Sequence, residues 1–200
     1  MPCPVCGKVY CDHTPGERGQ TQEEMLKDMM NGDKELPREK SKGKKISKEK
    51  LKSEVANFEV VVDYNKSLAE MVKAGGYHWV SEGIIKKYFP IQGVGLQKTE
   101  LALVHLNRKV KTKEIRKFTE SKNLIVPKGI EHLLALGATY PEIQEEFPVV
   151  VLCDFLGPNY GDSVYPYLYI NTSRMRALFL DRFADDHLWD ASCRFLAVRK

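Results

Sequence analysis

The run KSKGKKISKEKLK, Lys40 to Lys52, sets the first limit on what this chain can fold into. It offers only Ile46 and Leu51 for burial, too little to offset the entropy of ordering so many long charged side chains. The run therefore reads as a flexible linker, and a packed core has to form on one side of it. Widened to Lys34–Lys52, the segment holds nine basic residues against three acidic ones, whereas the whole chain carries only +4. The positive charge is local. Three regions follow: a cysteine-rich head at residues 1–16, a polar stretch at 17–55 holding a short helix and the basic linker, and residues 56–200 with nearly all the aromatic and β-branched apolar side chains.

At 42% hydrophobic, the 200 residues suffice for one good core plus an appendage. No apolar run approaches the ~20 residues of a membrane span, and the N-terminus lacks an apolar signal core. The expectation is a cytoplasmic protein in a reducing compartment, where clustered cysteines hold metal more often than they form disulfides.

In the polar stretch, Thr21 and Glu24 fit a capping box ahead of the apolar stripe Met25, Leu26, Met29 and Met30. In the third region, Phe58–Tyr64 reads as a strand and Ser67–Gly75 as a short helix ended by Gly75-Gly76. A second short helix is expected in SEGIIKKYFP and a strand over Thr99–Arg108. Lys111–Lys122 reads as a charged helix with Ile115 and Phe118 inward. Pro127 suits the first turn of a helix through GIEHLLALGA, and PEIQEEF forms another. PVVVLCDFLG reads as a buried strand, GPNYGD as a turn, and SVYPYLYI, RALFLDRF and CRFLAVRK as further strands. Short helices and strands followed by a C-terminal run of antiparallel strands indicate an α+β fold.

The head, CPVCGKVYCDH, concentrates metal ligands. Cys3 and Cys6 form a CxxC turn with Gly7 behind it. Cys11 and His13 are two apart, so in an extended segment both reach one ion. Four ligands of Cys₃His type match tetrahedral zinc with no open position, hence a structural zinc that stands in for a core the head cannot build. A redox CxxC would open a helix in a βαβ unit, which is absent around Cys3, and free thiols are the plain alternative.

Elsewhere there is no Gly-rich phosphate loop, nucleophile elbow or HExxH. Cys153 and Cys193 read as small buried hydrophobes, His105 and His132 as packed histidines, and Glu142, Glu145 and Glu146 as a solvated helix face. One segment differs: DRFADDHLWD, Asp181–Asp190, gathers Asp185, Asp186, His187, Trp189 and Asp190 between two strands. It reads either as a polar connector or as a ligand-binding loop held on a rigid sheet, with Trp189 and Tyr160 offering flat faces.

VDYNKSLAEMVKAGGYHWV, FPIQGVG, ELALVHLNR, IEHLLALGATYPEIQEEFPVVVL, VYPYLY and SCRFLAVRK together resemble a group of uncharacterised proteins of candidate-phylum bacteria, over residues 58–200. A fainter similarity is to C-type-lectin-like domains, including the formylglycine-generating-enzyme group and the variable proteins of diversity-generating retroelements. That resemblance implies a ligand surface in the last loop before the final strand, Asp181–Ser192 here. The resulting expectation is a binding protein rather than an enzyme, recognising a protein or other ligand. The alternative is a nucleic-acid-associated accessory protein that contacts phosphates through the zinc head and Lys40, Lys42, Lys44, Lys45, Lys48 and Lys50.

Overall fold

The computed structural model describes residues 53–84, 88–153, 163–171, 173–183 and 187–200. All belong to one unit, Lys42–Lys200. The cysteine-rich head, the expected helix at residues 21–30, the lysine-rich linker, the GPNYGD turn, Tyr160, Asp185 and Asp186 lie outside the described residues.

The architecture is α+β, a mixed sheet with helices on both faces. Strand β1 (Val55–Asp63) pairs antiparallel along its whole length with β3 (Leu96–Val104). Between them lie α1 (Leu68–Gly75) and the two-residue β2 (Trp79–Val80). Then come β4 (Val110–Lys111), α2 (Thr112–Ser121), β5 (Leu124–Ile125), α3 (Glu131–Thr139), α4 (Ile143–Glu146) and β6 (Val149–Val150). The chain closes with β7 (Ser163–Ile170), β8 (Arg176–Phe183), β9 (Leu188–Trp189) and β10 (Arg194–Arg199). In space the order is β1-β3-β10-β6-β7-β8-β2, with β5 beside β10 and β4-β9 as a separate ribbon.

Local rules account for most elements. Ser67 caps α1: its hydroxyl accepts from the Glu70 amide at 3.3 Å, and the Glu70 carboxylate accepts from the Ser67 amide at 2.8 Å. Gly76, at φ 60°, ends the helix in the left-handed conformation that its missing Cβ makes easy. In α2, Ile115 is buried and Phe118 packs against the same cluster, as the helical spacing requires.

Four expectations need correction. SEGIIKKYFP is not helical at its described residues, which form turns. Its first residue is tied to the sheet: the Ser81 amide donates to the Leu178 carbonyl and the Ser81 hydroxyl accepts from the Leu180 amide at 2.9 Å. Pro127 precedes α3 rather than opening it, and that helix starts at Glu131. Among its described residues the PVVVLCDFLG strand pairs only at Val149 and Val150, although Val151, Leu152 and Cys153 stay buried. Val151 still donates to the Pro166 carbonyl at 3.1 Å, but Pro166 has no N–H to return, so the ladder stops. Finally, β7 and β8 form an antiparallel hairpin, but β10 leaves that run and inserts between β3 and β6, parallel to β6.

β10 is accordingly buried on both faces from Arg194 to Ala197. Leu101, Leu103 and Leu196 face one core with Leu68 and Met71 of α1, Leu133 and Leu136 of α3, and Ile143 of α4. Ala102, Val104, Phe195 and Ala197 face the other, under Ile115 of α2 and Trp189 of β9. This second cover is narrow and spans only the middle of the sheet. Among the described residues no helix is long and apolar enough to cross a membrane.

Candidate functional site

Trp189 is not an exposed face. It is 4% exposed, and its indole N–H donates to the Thr112 hydroxyl at 2.9 Å. Its ring meets Tyr165 and Phe195 edge-on, each at 5.7 Å, and His187 at 4.7 Å. A large amphipathic ring with one donor is best placed where an apolar floor adjoins a single acceptor. Trp189 therefore pins β9 to the start of α2. His187, half-buried, leans on that anchor. Asp190 is exposed, and its carboxylate accepts from the Ser192 amide at 2.9 Å, which holds its carboxyl below the usual range. It closes the turn into β10, where the Cys193 amide donates to the Asp190 carbonyl at 3.2 Å. Of the five expected ligand-binding residues, then, His187 and Trp189 are in contact, Asp190 caps a turn, and Asp185 and Asp186 lie outside the described residues.

Cys153 is 1% exposed, as expected of a small hydrophobe. Burial pushes the Cys193 thiol up to about 11, with Asp190 adding to the rise, so it stays protonated near neutrality. His105 is half-buried, with Nε2 at 3.0 Å from the Ala191 carbonyl, which makes Nε2 the protonated nitrogen. Burial first, then Arg194, hold its pKa below the ordinary histidine value. Among the described residues no His, Cys, Asp and Glu group could hold a metal ion. A shallow cleft of about 310 Å³ is lined by Glu54, Val55, Lys122, Leu124 and Arg199. Its charges are already matched: Lys122 to Glu54 at 3.4 Å and Arg199 to Glu100 at 3.3 Å.

The feature that stands out was not singled out from sequence. On the side covered by α2, the described residues leave the sheet open over the outer part of β7, β8 and β2, and that open half is aromatic. Register places Trp79 beside Ala177, Tyr169 on its other side, and Tyr167 opposite Phe179. Phe179 is the hub: its ring lies 4.5 Å from Trp79, 5.3 Å from Tyr167 in a stacked pair, and 6.2 Å from Tyr169. Ala177, 0% exposed, is the floor, while Trp79 and Tyr169 are each 42% exposed. The Tyr167 hydroxyl donates to Asp181 at 2.6 Å. Burial first, then that carboxylate, raise its pKa well above the tyrosine value. Cross-strand aromatic pairs of this kind rigidify a sheet. The alternation Tyr165-Pro-Tyr167-Leu-Tyr169 already says that one face of β7 is aromatic, but only the register shows that the same face of β8 and β2 matches it.

His187–Asp190 borders this surface, because Trp189 packs on Tyr165, the next aromatic of the β7 row. The opposite flank, over β1 and β3, is charged instead, with Glu59 and Lys98 paired at 3.2 Å. Comparison with family models, with curated proteins and with solved structures finds no match for the chain.

Proposed function

We propose that this chain is a non-enzymatic binding protein whose α+β domain recognises a protein partner through the open aromatic half of its sheet. The observation that carries this reading is the Trp79, Phe179, Tyr167 and Tyr169 cluster, partly exposed and not covered by any described residue where the neighbouring part of the same face is packed. Aromatic residues and methionine are the types enriched in interface cores, and Met175 follows on the same face at 39% exposure. Within the expected Asp181–Ser192 loop, His187–Asp190 borders this surface, with Trp189 as its anchor. In the head, Cys3, Cys6, Cys11 and His13 hold a structural zinc, a reading that rests on ligand type and spacing alone.

The charge balance favours a protein over a nucleic acid at this surface. In residues 53–200 Lys and Arg outnumber Asp and Glu by one, so the domain lacks the basic excess that phosphate binding requires. The rings of Tyr167 and Phe179 are stacked on each other and have spent those faces, whereas base stacking needs free ones.

Hydroxyl-radical footprinting tests this reading. Trp79, Tyr169 and Met175 should label strongly in dilute purified full-length chain and lose most of that labelling inside cells. Val94 and Leu96, at 81% and 68% exposure, serve as references. Equal labelling of the aromatic strip in both conditions would remove the proposal.

A further inference from the structure

We infer that the occupant of the open aromatic half is a second copy of this chain, packed face to face about a twofold axis that lies in the interface and runs across β8, about 15° from the perpendicular, between Ala177 and Leu178. The inference rests on the reading of this surface as a protein-binding one. What selects a second copy is the pair of opposite charges at the two ends of β8. Asp181, exposed, stands at one end of the aromatic row, and Arg174, exposed, stands at the hairpin tip at the other. Neither forms an ion pair within the described residues, although most charged neighbours on the opposite flank do. Arg174 is held in a fixed tip: it sits at φ 57°, its amide donates to the Asn171 carbonyl at 2.9 Å, and the Asn171 side chain accepts from the Ser173 and Met175 amides.

Seven residues of strand separate the two charges, about 23 Å at ~3.3 Å per residue. A twofold at the midpoint exchanges the ends, so each Asp181 meets the partner's Arg174, Trp79, level with Ala177, packs against its counterpart, and Phe179 lies over the partner's Trp79–Ala177 region. Stacked sheets cross at about 30°, which displaces ends ~11 Å from the axis by about 6 Å, within reach of an arginine side chain. An axis parallel to β8 would instead set Asp181 against Asp181, which like-charge repulsion disfavours. Such an interface is self-complementary, as a closed dimer demands. The strip is narrow, about three strands wide, so the dimer is a weak one that forms in the micromolar range.

Sedimentation velocity on the full chain between 1 and 100 µM tests this. The parent should show a concentration-dependent monomer–dimer equilibrium. R174D and D181R should each weaken it at least tenfold by placing like charges together twice. The double variant R174D/D181R should return to within about threefold of the parent, a rescue that misfolding could not mimic. A parent that stays monomeric at 100 µM overturns the second copy. So does a dimer indifferent to both single swaps, since it would use another surface. A benzophenone amino acid at position 79 separates the two levels of the argument. Adducts in cells with a different protein, from a chain that sediments as a monomer, overturn the second copy and leave the protein-binding reading standing. No adduct of any kind removes both.

Discussion

Arg176 is the side chain whose loss should cost most for its size. It opens β8 and reaches across the helical layer. Nη1 donates to the Gly75 carbonyl at 2.6 Å, Nη2 to the Gly137 carbonyl at 2.7 Å, and Nε to the Gln144 side chain at 3.1 Å. Gly75 is the last residue of α1 and Gly137 lies in the last turn of α3, so one cation satisfies carbonyls that both helix ends leave without intrahelical partners. The guanidinium also lies 5.3 Å from the Tyr77 ring centre. In Arg176→Met the stem volume remains and all three bonds go. Each charge-assisted bond is worth about 1.5–3 kcal/mol, but part of that is returned by relief of the desolvated cation and by water at the half-exposed side. A net loss of about 3–5 kcal/mol follows. For a domain of this size that is roughly 10 °C in Tm. Arg176→Lys should recover less than half, because one ammonium cannot reach carbonyls on two helices and an amide at once. Thermal melts by circular dichroism and urea titration read the effect. A Met variant within 1 kcal/mol of the parent would show that the helix ends are satisfied without the guanidinium, and the idea of Arg176 as a strut would fall.

Three further outcomes follow from the same contacts. Trp189→Ala should cost about 3–5 kcal/mol and Trp189→Phe about 1–2, the latter mostly for the bond to Thr112, whereas Asp190→Ala should leave the melting temperature near the parent's; a silent Trp189→Ala would contradict its role as anchor. His132 has a buried Nδ1 without a partner, and burial holds its pKa below the ordinary 6.5. The unfolded chain therefore takes up the proton first, and stability should be full above about pH 6.5 and fall as the pH drops through the folded-state value; His132→Leu should flatten that slope, with His105 supplying the remainder, and an unchanged slope would count against it. Elemental analysis of protein purified without chelator should find one zinc per chain, and Cys6→Ser together with Cys11→Ser should remove it; a metal-free parent would end the zinc reading of the head.

Elements that announce themselves by a local rule were legible in the sequence. Ser67 with Glu70 and the Gly75-Gly76 pair bounded α1, and Ile115 with Phe118 oriented α2, because caps and helical spacing act within a turn. Features decided by a distant partner were not. β3 begins at Leu96, earlier than its apolar pattern suggests, because β1 supplies a ladder down to the Asp63–Leu96 pair even where Leu96, Gln97 and Lys98 face solvent. The β6 ladder ends at a proline on another strand. At its described residues SEGIIKKYFP is held as turns where Ser81 bonds to Leu178 and Leu180 of β8. The same limit governed the site. Trp189 stands among aspartates and a histidine in the sequence, which suggested display, yet Thr112, 77 positions away, supplies the acceptor that turns its ring inward. Trp79 and Phe179, a hundred residues apart in the chain, become neighbours only through the β2–β8 pairing.

β10 is the last of the described strands and yet lies inside the sheet, between β3 and β6. Among the described residues, the strand groups β1-β3 and β6-β7-β8-β2 have no ladder to each other except through it. During synthesis both groups can emerge and collapse on their helices, but each keeps an open edge until residues 194–199 arrive and zip the two together. Pairings of Phe195 with Val104 and with Val150 join segments far apart in sequence, the kind of closure that slows folding. A chain cut short before Arg194 would hold most of the core residues but two unpaired strand edges, each a template for aggregation. β10 thus acts as the closure of the sheet, since both edges stay unpaired until residues 194–199 are in place.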